Sequence, residues 1–355
     1  MTFEKFQFPP SISKILKQMN FIEATPIQAM AIPPALKGRD LLGLAQTGTG
    51  KTAAFSLPLL VRLMNEPKQG ALILAPTREL AMQIHAFIKE LAGDNINLKS
   101  ALIIGGNPLK QQTIELRRNP RILIATPGRL VDHLRSQPKI LQRASILVLD
   151  EADRMLDMGF LPQLKQILRF LPRPRQTMMF SATFPSNVRS LAAQFLKNPI
   201  EVKAGETSKP IEKIEQKIIE TTHEEKNDIL LDELNAREGS ILIFTRTKER
   251  TDRLLKFLLS YGYDAIAIHG DRTQFQRRQA LEGFRGGKYR IMVATDVAAR
   301  GLDISGIGHV INYDLPQLPE DYIHRIGRTG RNGQSGEALC LLTPDDRKLW
   351  KMINR

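Results

Sequence analysis

The stretch Ala45-Gln46-Thr47-Gly48-Thr49-Gly50-Lys51-Thr52 joins an apolar run to a segment with helical spacing. Its two glycines allow the backbone to turn N–H groups inward, where they can surround phosphate oxygens. A helix that starts directly after the loop adds partial positive charge at the same point. In such a loop Lys51 neutralises the β- and γ-phosphates, and the Thr52 hydroxyl binds Mg²⁺. Ala45 stands where the general pattern has glycine, but the order strand, loop, helix still predicts a nucleotide-binding loop.

The first half of the chain alternates short apolar runs with longer amphipathic segments. The runs are apolar at consecutive positions, which is typical of strands buried on both faces of a parallel sheet. The predicted strands are Asp40–Ala45, Ala71–Ala75, Leu98–Ile104, Arg121–Ala125, Ser145–Leu149 and Thr177–Phe180. The predicted helices between them include Thr52–Asn65, Arg78–Ala92, Leu109–Arg118 and Phe160–Phe170. This alternation predicts a doubly wound α/β domain.

A polar segment with Gly205 and Pro210 interrupts the pattern and is typical of a linker. The alternation then resumes with predicted strands Ser240–Thr245, Ala265–His269, Arg290–Thr295, His309–Tyr313 and Ala338–Leu342, and with helices Lys248–Tyr261 and Gln274–Gly283. We therefore expect two tandem α/β domains, 1–205 and 213–355, joined by a linker at 206–212.

Composition narrows the class of protein. Among the 355 residues, 42% are hydrophobic and 25% charged, as in ordinary globular proteins. No apolar run reaches the roughly 18 residues of a membrane span, and the first residues lack a secretory pattern. The single cysteine, Cys340, excludes an internal disulfide and lies in an apolar run, where a buried strand position is expected. These features predict a cytoplasmic enzyme that does not contact membranes.

The charge of the chain is strongly positive, at +14. Residues 1–205 carry 27 Lys and Arg against 14 Asp and Glu, and residues 239–355 carry 19 against 13. Between them, 206–238 holds ten acids and five bases, which we interpret as an acidic helical segment. Two basic halves favour a polyanionic partner. Aromatic residues make up only 6%, so contacts with a nucleic-acid backbone are expected rather than base stacking.

Two carboxylates directly follow the predicted strand Ser145–Leu149. Asp150, leaving the sheet beside a phosphate-binding loop, is placed to hold Mg²⁺. Glu151 is placed to orient and deprotonate an attacking water. Upstream of the first strand, the Gln28 amide can pair with adenine through two hydrogen bonds. Phe3 could stack on the same base.

Taken together and in order, these motifs resemble the DEAD-box ATP-dependent RNA helicases of superfamily 2. The resemblance covers essentially the whole chain and includes the tetrad Asp150-Glu151-Ala152-Asp153. It implies two RecA-like domains of the P-loop NTPase class, and the text is most similar to the bacterial RhlE-like subgroup. Asn20 stands where the family usually has glycine, and since asparagine tolerates left-handed backbone angles we expect little effect.

The resemblance assigns residues to three ligands. Lys51, Asp150 and Glu151 are catalytic together with Arg328 and Arg331, which resemble arginine fingers that reach the γ-phosphate from the second half. Thr52 and Asp150 would bind Mg²⁺. The ATP contacts are Phe3, Gln28, Ala45, Gln46, Thr47, Gly48, Thr49, Gly50, Lys51, Thr52 and Asp303.

The implied RNA contacts are hydroxyls, glycines and arginines that follow strands and suit sugar–phosphate oxygens. In the first half they are Pro76, Thr77, Arg78, Glu79, Gly105, Gly106, Thr126, Pro127, Gly128 and Arg129. In the second half they are Thr245, Arg246, Gln274, Arg277 and Thr295. The residues implied to couple nucleotide to RNA are Asp153, Ser181, Thr183 and His324.

These observations predict an enzyme that hydrolyses ATP when RNA is bound and opens short RNA duplexes locally as its two halves close. The expected partner is single-stranded or short duplex RNA, and the expected state is a monomer. Two alternatives remain at this stage. One is a DNA-stimulated translocase of the same superfamily, and the other is a non-catalytic RNA-binding or annealing module.

Overall fold

A computed structural model describes residues 1–46, 48–93, 98–204, 214–299, 307–317, 319–330 and 336–354. The chain divides into two compact units, Met1–Thr207 and Ser208–Arg355. Each unit contains one sheet in which every strand pair is parallel. The predicted fold class, two doubly wound α/β domains, is therefore confirmed. The predicted linker 206–212 lies outside the described residues.

The described residues of the first unit form seven strands. They are β1 (Leu41–Ala45), β2 (Gly70–Leu74), β3 (Ser100–Ile103), β4 (Ile122–Ala125), β5 (Ala144–Leu149), β6 (Gln176–Ser181) and β7 (Ile200–Ala204). Their order across the sheet is β3-β4-β2-β5-β6-β1-β7. Helices cover both faces, and each face has its own apolar core.

The helices of this unit begin after a 3₁₀ turn at Phe3–Phe6. They are α1 (Pro10–Gln18), α2 (Pro26–Leu36), α3 (Lys51–Asn65), α4 (Arg78–Ala92), α5 (Leu109–Arg117), α6 (Pro127–Ser136), α7 (Ala152–Asp157), α8 (Leu161–Leu168) and α9 (Ser186–Phe195). Asn20, with φ of 59°, adopts the left-handed conformation that its side chain tolerates. Asparagine in place of the family's usual glycine is thus accommodated, as expected.

In the second unit, the part of the chain that the structure describes forms six strands: β8 (Ile214–Glu220), β9 (Ile241–Thr245), β10 (Ala265–Ile268), β11 (Ile291–Thr295), β12 (His309–Asn312) and β13 (Gly336–Leu342). Their order is β10-β11-β9-β12-β13-β8. The helices are α10 (Lys226–Asn235), α11 (Lys248–Ser260), α12 (Gln274–Arg285), α13 (Asp296–Ala299), α14 (Pro319–Ile326) and α15 (Arg347–Ile353). Cys340 is 1% exposed in β13, as predicted.

The interpretation of 206–238 as an acidic helical segment was wrong in part. Residues Ile214–Glu220 form strand β8, which pairs along its whole length with β13, and only Lys226–Asn235 are helical. β8 is an edge strand whose side chains are mostly exposed. Its charged residues therefore face solvent. An exposed edge strand of this kind has the same polar composition as a solvated helix, so composition alone could not tell the two apart.

Candidate functional site

The order of strands separates the predicted site residues of the first unit into two groups. The phosphate-binding loop, the tetrad and the coupling residues Ser181 and Thr183 follow β1, β5 and β6, which are neighbours in the sheet, and the predicted RNA residues follow β2, β3 and β4, which are also neighbours. Both groups lie at the carboxyl ends of parallel strands, where loops and helix N-termini converge on ligands. The predicted nucleotide contacts Phe3 and Gln28 precede β1. The two groups meet between β2 and β5, where the Asp150 N–H donates to the Leu74 carbonyl over 3.0 Å.

The phosphate-binding loop runs from the end of β1 to the start of α3. Gly50 has φ of 91°, and a Cβ there would lie 2.4 Å from the Gln28 amide nitrogen, so both backbone and space require glycine. Lys51 is 6% exposed, and its ammonium donates to the Ala45 carbonyl over 2.7 Å. The Thr49 hydroxyl donates to the Gln46 carbonyl. Thr47 lies outside the described residues.

Gln28 is 3% exposed and joins helix α2 to this loop. Its Oε1 accepts from the Thr25 N–H over 2.9 Å, and its Nε2 donates to the Gly50 carbonyl over 3.2 Å. An amide oxygen has two lone pairs and an amide nitrogen two hydrogens, so each retains the capacity for a second bond. The side chain is therefore anchored beside the phosphate-binding loop, and its pairing with adenine stays a prediction.

Replacing Gln28 with alanine is expected to reduce the preference for ATP over GTP by about tenfold, because an amide that pairs with both N6 and N7 of adenine is lost. Affinity for both nucleotides should also fall, since the amide anchors Gly50. The measurement is the ratio of ATP and GTP dissociation constants, with Gln28→Glu as the variant that keeps only the acceptor. An unchanged ratio in both variants would remove the adenine-reading role.

Phe3 is 5% exposed and packs edge-on against two other phenylalanines. Its ring centroid lies 5.7 Å from that of Phe6 and 5.4 Å from that of Phe21. These contacts place Phe3 in the apolar core that also supports α2. Stacking of Phe3 on adenine stays a prediction.

Asp150 and Glu151 leave the sheet at the end of β5. Asp150 is 2% exposed, and its Oδ1 accepts from the Glu151 N–H over 3.1 Å. Burial raises the pKa of the Asp150 carboxyl to about 7, against the opposing attraction of Lys51. Glu151 adopts a left-handed conformation, with φ of 53°, that starts α7. Its Oε2 accepts from the Arg154 guanidinium over 2.8 Å, and this ion pair is nearly buried.

These groups fit Mg²⁺ in their chemistry. The Asp150 carboxylate and the Thr52 hydroxyl are oxygen donors of the kind that Mg²⁺ prefers. Burial opposes the charged form of Asp150 more than the attraction of Lys51 favours it, and its pKa is raised for that reason. A divalent cation at this place would favour the carboxylate form.

Removing the charge of Asp150 is expected to stabilise the unliganded protein at high pH. The carboxyl has a pKa of about 7 in the folded chain and 3.8 as a model value, so the folded state holds the proton more tightly. The resulting stabilisation is complete below pH 3.8, declines as the pH rises from there, and is lost by about pH 7. The advantage of Asp150→Asn over the parent protein in denaturant should therefore be larger at pH 8 than at roughly pH 3, by on the order of a few kcal/mol, with an intermediate value at about pH 5. A stability difference that does not change with pH would contradict this expectation.

Asp153 connects the tetrad to the end of β6. Its Oδ2 accepts from the backbone N–H groups of Ala182 and Thr183 at 3.1 and 2.9 Å, and from the Thr183 hydroxyl at 2.9 Å. Ser181 accepts from the Asp153 N–H and donates to the Thr183 carbonyl. The structure thus brings together the three first-unit residues predicted to couple the ligands, and these hydrogen bonds tie the start of α7 to this loop.

The predicted RNA residues of the first unit lie in three adjacent loops. Thr77 caps α4, since its hydroxyl accepts from the Leu80 N–H over 3.3 Å. The Arg78 guanidinium lies against Gly105, where an added Cβ would be 2.9 Å from it. Arg129, in the first turn of α6, donates to the Asn107 carbonyl over 2.7 Å. The exposures differ: Gly106 is exposed, Arg78, Gly105, Gly128 and Arg129 are half-buried, and Pro76, Thr77, Glu79, Thr126 and Pro127 are buried.

In the second unit the predicted RNA residues again follow three neighbouring strands, β9, β10 and β11. Thr245 is fully buried, and its hydroxyl lies 2.7 Å from that of Thr251. Arg246 is exposed, and its N–H donates to Asp314 over 3.0 Å. Thr295 and Arg277 are 9% and 8% exposed. Gln274 begins α12, and its side chain lies outside the described part of the chain.

The arginine-rich motif follows β12. Helix α14 ends at Ile326, and Arg328 comes in the turn after it, 5% exposed. His324 lies on α14 with its Nδ1 3.9 Å from Asp321. Arg331 and Asp303 lie outside the described residues, so their placement stays a prediction. In the stretches that the structure describes, no helix is long and apolar enough to cross a membrane.

Comparison with known proteins places this arrangement in a family. Residues 25–191 match the model of the DEAD/DEAH box helicase family, and residues 225–333 match that of the helicase conserved C-terminal domain. The chain belongs to the DEAD-box ATP-dependent RNA helicases. It is 43% identical to the DEAD-box ATP-dependent RNA helicase CshA of Bacillus licheniformis, over all of this chain and 73% of that protein.

Solved DEAD-box structures share the fold. One is S. cerevisiae Dbp5 bound to RNA and ADP BeF3, with a TM-score of 0.88 and 33% identity over 99% of this chain and 92% of that one. Another is Mss116p bound to ssRNA and AMP-PNP, with a TM-score of 0.90 and 29% identity over 100% of this chain and 78% of that one. The RecA-like character of the two units is thereby confirmed.

Sequence reasoning missed two buried arginines in this DEAD-box protein. Arg325 is 2% exposed and pairs with both oxygens of Asp296, at 2.6 and 2.7 Å, and donates to Asn312 over 2.9 Å. Arg154 pairs with Glu151. Of these two arginines only Arg154 had a local signal, since it stands three residues after Glu151, a spacing at which side chains meet on a helix. The partner of Arg325 is 29 residues away, and only the fold reveals it.

Proposed function

We propose that this protein is an RNA-stimulated ATPase that opens short RNA duplexes locally and with little sequence preference. One observation carries the proposal. In one sheet, the strands that present phosphate-binding residues adjoin the strands that present the predicted RNA-binding loops. The Asp153 carboxylate joins the tetrad to the loop of Ser181 and Thr183, so a change at the nucleotide has a short mechanical route through the unit.

In the proposed reaction the chain's own residues divide the work. Lys51 leaves the Ala45 carbonyl and binds the β- and γ-phosphates, while Gln28 holds the adenine. Glu151 orients water in line with the γ-phosphate and accepts its proton. Thr52 and Asp150 would hold Mg²⁺, which would neutralise phosphate charge when bound. Arg328 and Arg331 of the second unit stabilise the charge that develops during transfer.

Coupling follows if ATP and RNA each favour the same closed arrangement of the two units. We propose that closure bends one RNA strand so that its partner dissociates, and that loss of phosphate reverses it. The readout through backbone contacts implies little base preference, and contacts with 2′-hydroxyls would select RNA over DNA.

The test is the rate of ATP hydrolysis with a panel of RNAs and DNAs of matched length. Stimulation by several unrelated RNAs, and weakly or not at all by DNA, supports the proposal. Equal stimulation by DNA would instead favour the translocase. Binding of RNA without any stimulated phosphate release would favour the binding or annealing module.

RNA affinity is expected to fall steeply with salt. Four arginines are predicted to contact RNA phosphates: Arg78, Arg129, Arg246 and Arg277. Each phosphate neutralised on single-stranded nucleic acid contributes a slope of about −0.7 to the plot of log affinity against log salt, so a total of about −3 is expected. Titrations of a fluorescent single-stranded RNA between low and physiological salt measure it. A flat response would show that backbone phosphates do not dominate the interaction.

We further propose that the chain acts as a cytoplasmic monomer of the RhlE-like subgroup. The relative reported above carries the CshA name, so the proposed RhlE-like subgroup is supported only by the amino-acid sequence around the motifs. Sedimentation of the protein with and without RNA tests the monomer.

A further inference from the structure

We propose that Gln112 and His133 are positioning residues for RNA binding, forming a buried relay that fixes the Gly105-Gly106 loop relative to helix α6. The inference rests on the proposed function, because it takes that loop and Arg129 as RNA contacts. Neither Gln112 nor His133 lies at the surface, so neither can touch RNA itself: they are 2% and 0% exposed.

The relay consists of two hydrogen bonds. The Gln112 Nε2 on α5 donates to the carbonyl of Ile104 over 2.8 Å, and Ile104 is the residue directly before Gly105. The His133 Nε2 on α6 lies 3.2 Å from the Gln112 Oε1. Because the Gln112 nitrogen donates to a carbonyl, its oxygen is the acceptor, and His133 must donate from Nε2. Burial, followed by the charge of Arg129, lowers the pKa of His133, which agrees with a neutral ring.

The position of Ile104 explains why its carbonyl needs a hydrogen-bond donor from a side chain. Strand β3 ends at Ile103, whose carbonyl accepts from the Thr126 N–H over 3.0 Å, so the ladder to β4 stops at this point. The next carbonyl is already buried, and a buried carbonyl without a donor costs about 1–3 kcal/mol. Gln112 supplies the donor and thereby sets the direction in which the chain enters Gly105 and Gly106, the latter with φ of 86°.

The Gly105-Gly106 loop is also held by side chains nearer the surface. Arg129 donates to the Asn107 carbonyl, and Arg78 packs on Gly105. The loop is therefore held by α6 twice, through Arg129 near the surface and through His133 one helical turn deeper. The side chains of Gln112 and His133 bond to each other and to a loop carbonyl, and buried hydrogen bonds of this kind fix one geometry, whereas apolar packing would allow several.

The experiment compares Gln112→Leu and His133→Phe, which remove the donors and keep apolar volume, with the parent protein. We expect KM for RNA in the ATPase assay, and Kd for a short single-stranded RNA, to rise about tenfold. The kcat at saturating RNA, KM for ATP and the RNA-independent ATPase rate should stay within about twofold. Since both residues act through one relay, the double variant should have the same KM for RNA as Gln112→Leu alone.

The matched control is His85→Phe. His85 bonds through Nε2 to the Ser100 hydroxyl over 3.0 Å, on the same strand β3 but at its opposite end. It should leave KM for RNA unchanged whatever it does to thermal stability. If Gln112→Leu does not fold, Gln112→Met, which keeps the length of the side chain, takes its place.

The outcomes separate the two levels of inference. A parent protein whose ATPase does not respond to RNA overturns the proposed function itself. A responsive parent with variants that melt at lower temperature, yet keep the parental KM and Kd for RNA, overturns the relay and leaves Gln112 and His133 as core residues only. Additive effects in the double variant also overturn it.

Discussion

Glu151→Gln is expected to lower kcat for ATP hydrolysis by about 10²- to 10⁴-fold, while ATP and RNA still bind. The amide keeps the shape of the side chain and can still accept from Arg154, which lies 2.8 Å from the carboxylate. It cannot take a proton from water. Single-turnover phosphate release at saturating RNA measures the loss, and equilibrium binding of a non-hydrolysable ATP analogue checks that the site is intact.

The control for Glu151 is Asp157→Asn, which neutralises an exposed carboxylate at the end of the same short helix α7. It should hydrolyse ATP at close to the parental rate. If Glu151→Gln also releases phosphate at that rate, Glu151 is not the general base.

Arg328→Ala is expected to lower kcat by about 10³-fold or more, the range found when an arginine that stabilises transferred phosphate is removed. Affinity for ATP should change by only a few fold, because the contact strengthens as charge develops. Arg328→Lys keeps the charge but loses the planar fork, so it should recover only part of the rate.

The comparison with Arg325 makes this test specific. Arg325 holds Asp296 through two short hydrogen bonds and is buried in the second unit. Its replacement by alanine leaves the Asp296 carboxylate without that partner, so the loss should appear first as lowered thermal stability. The contrary result is that Arg328→Ala lowers thermal stability as much as Arg325→Ala does, with a loss of activity that unfolding fully explains. That result would make Arg328 a structural residue.

The central strands and the phosphate-binding loop could be predicted from sequence because their signals are local. Consecutive apolar residues mark β2, β4 and β5, and the helix bounds predicted for Arg78–Ala92 agree with α4 at both ends. Two of the edge strands, β7 and β8, were missed, because each carries charged residues and lacks a continuous apolar run. The edge strands β3 and β10 are more apolar and were predicted.

What sequence could not supply depends on contacts between distant residues. The adjacency of β2 and β5, which brings the predicted RNA loops beside Asp150, follows from strand order and not from chain order. The pairing of Arg325 with Asp296 and the bonds between Gln112, His133 and Ile104 likewise join separate elements. Buried polar pairs of this kind produce no periodic pattern in the amino-acid sequence.

The hydrogen bond from the Lys51 ammonium to the Ala45 carbonyl has a consequence for turnover. Because the ammonium already has a backbone acceptor, a phosphate that binds Lys51 has to replace that carbonyl or share the ammonium with it. Part of the attraction between Lys51 and a phosphate is then offset by the loss of the internal hydrogen bond. We therefore expect a weaker grip on phosphate than a lysine without such an acceptor would give.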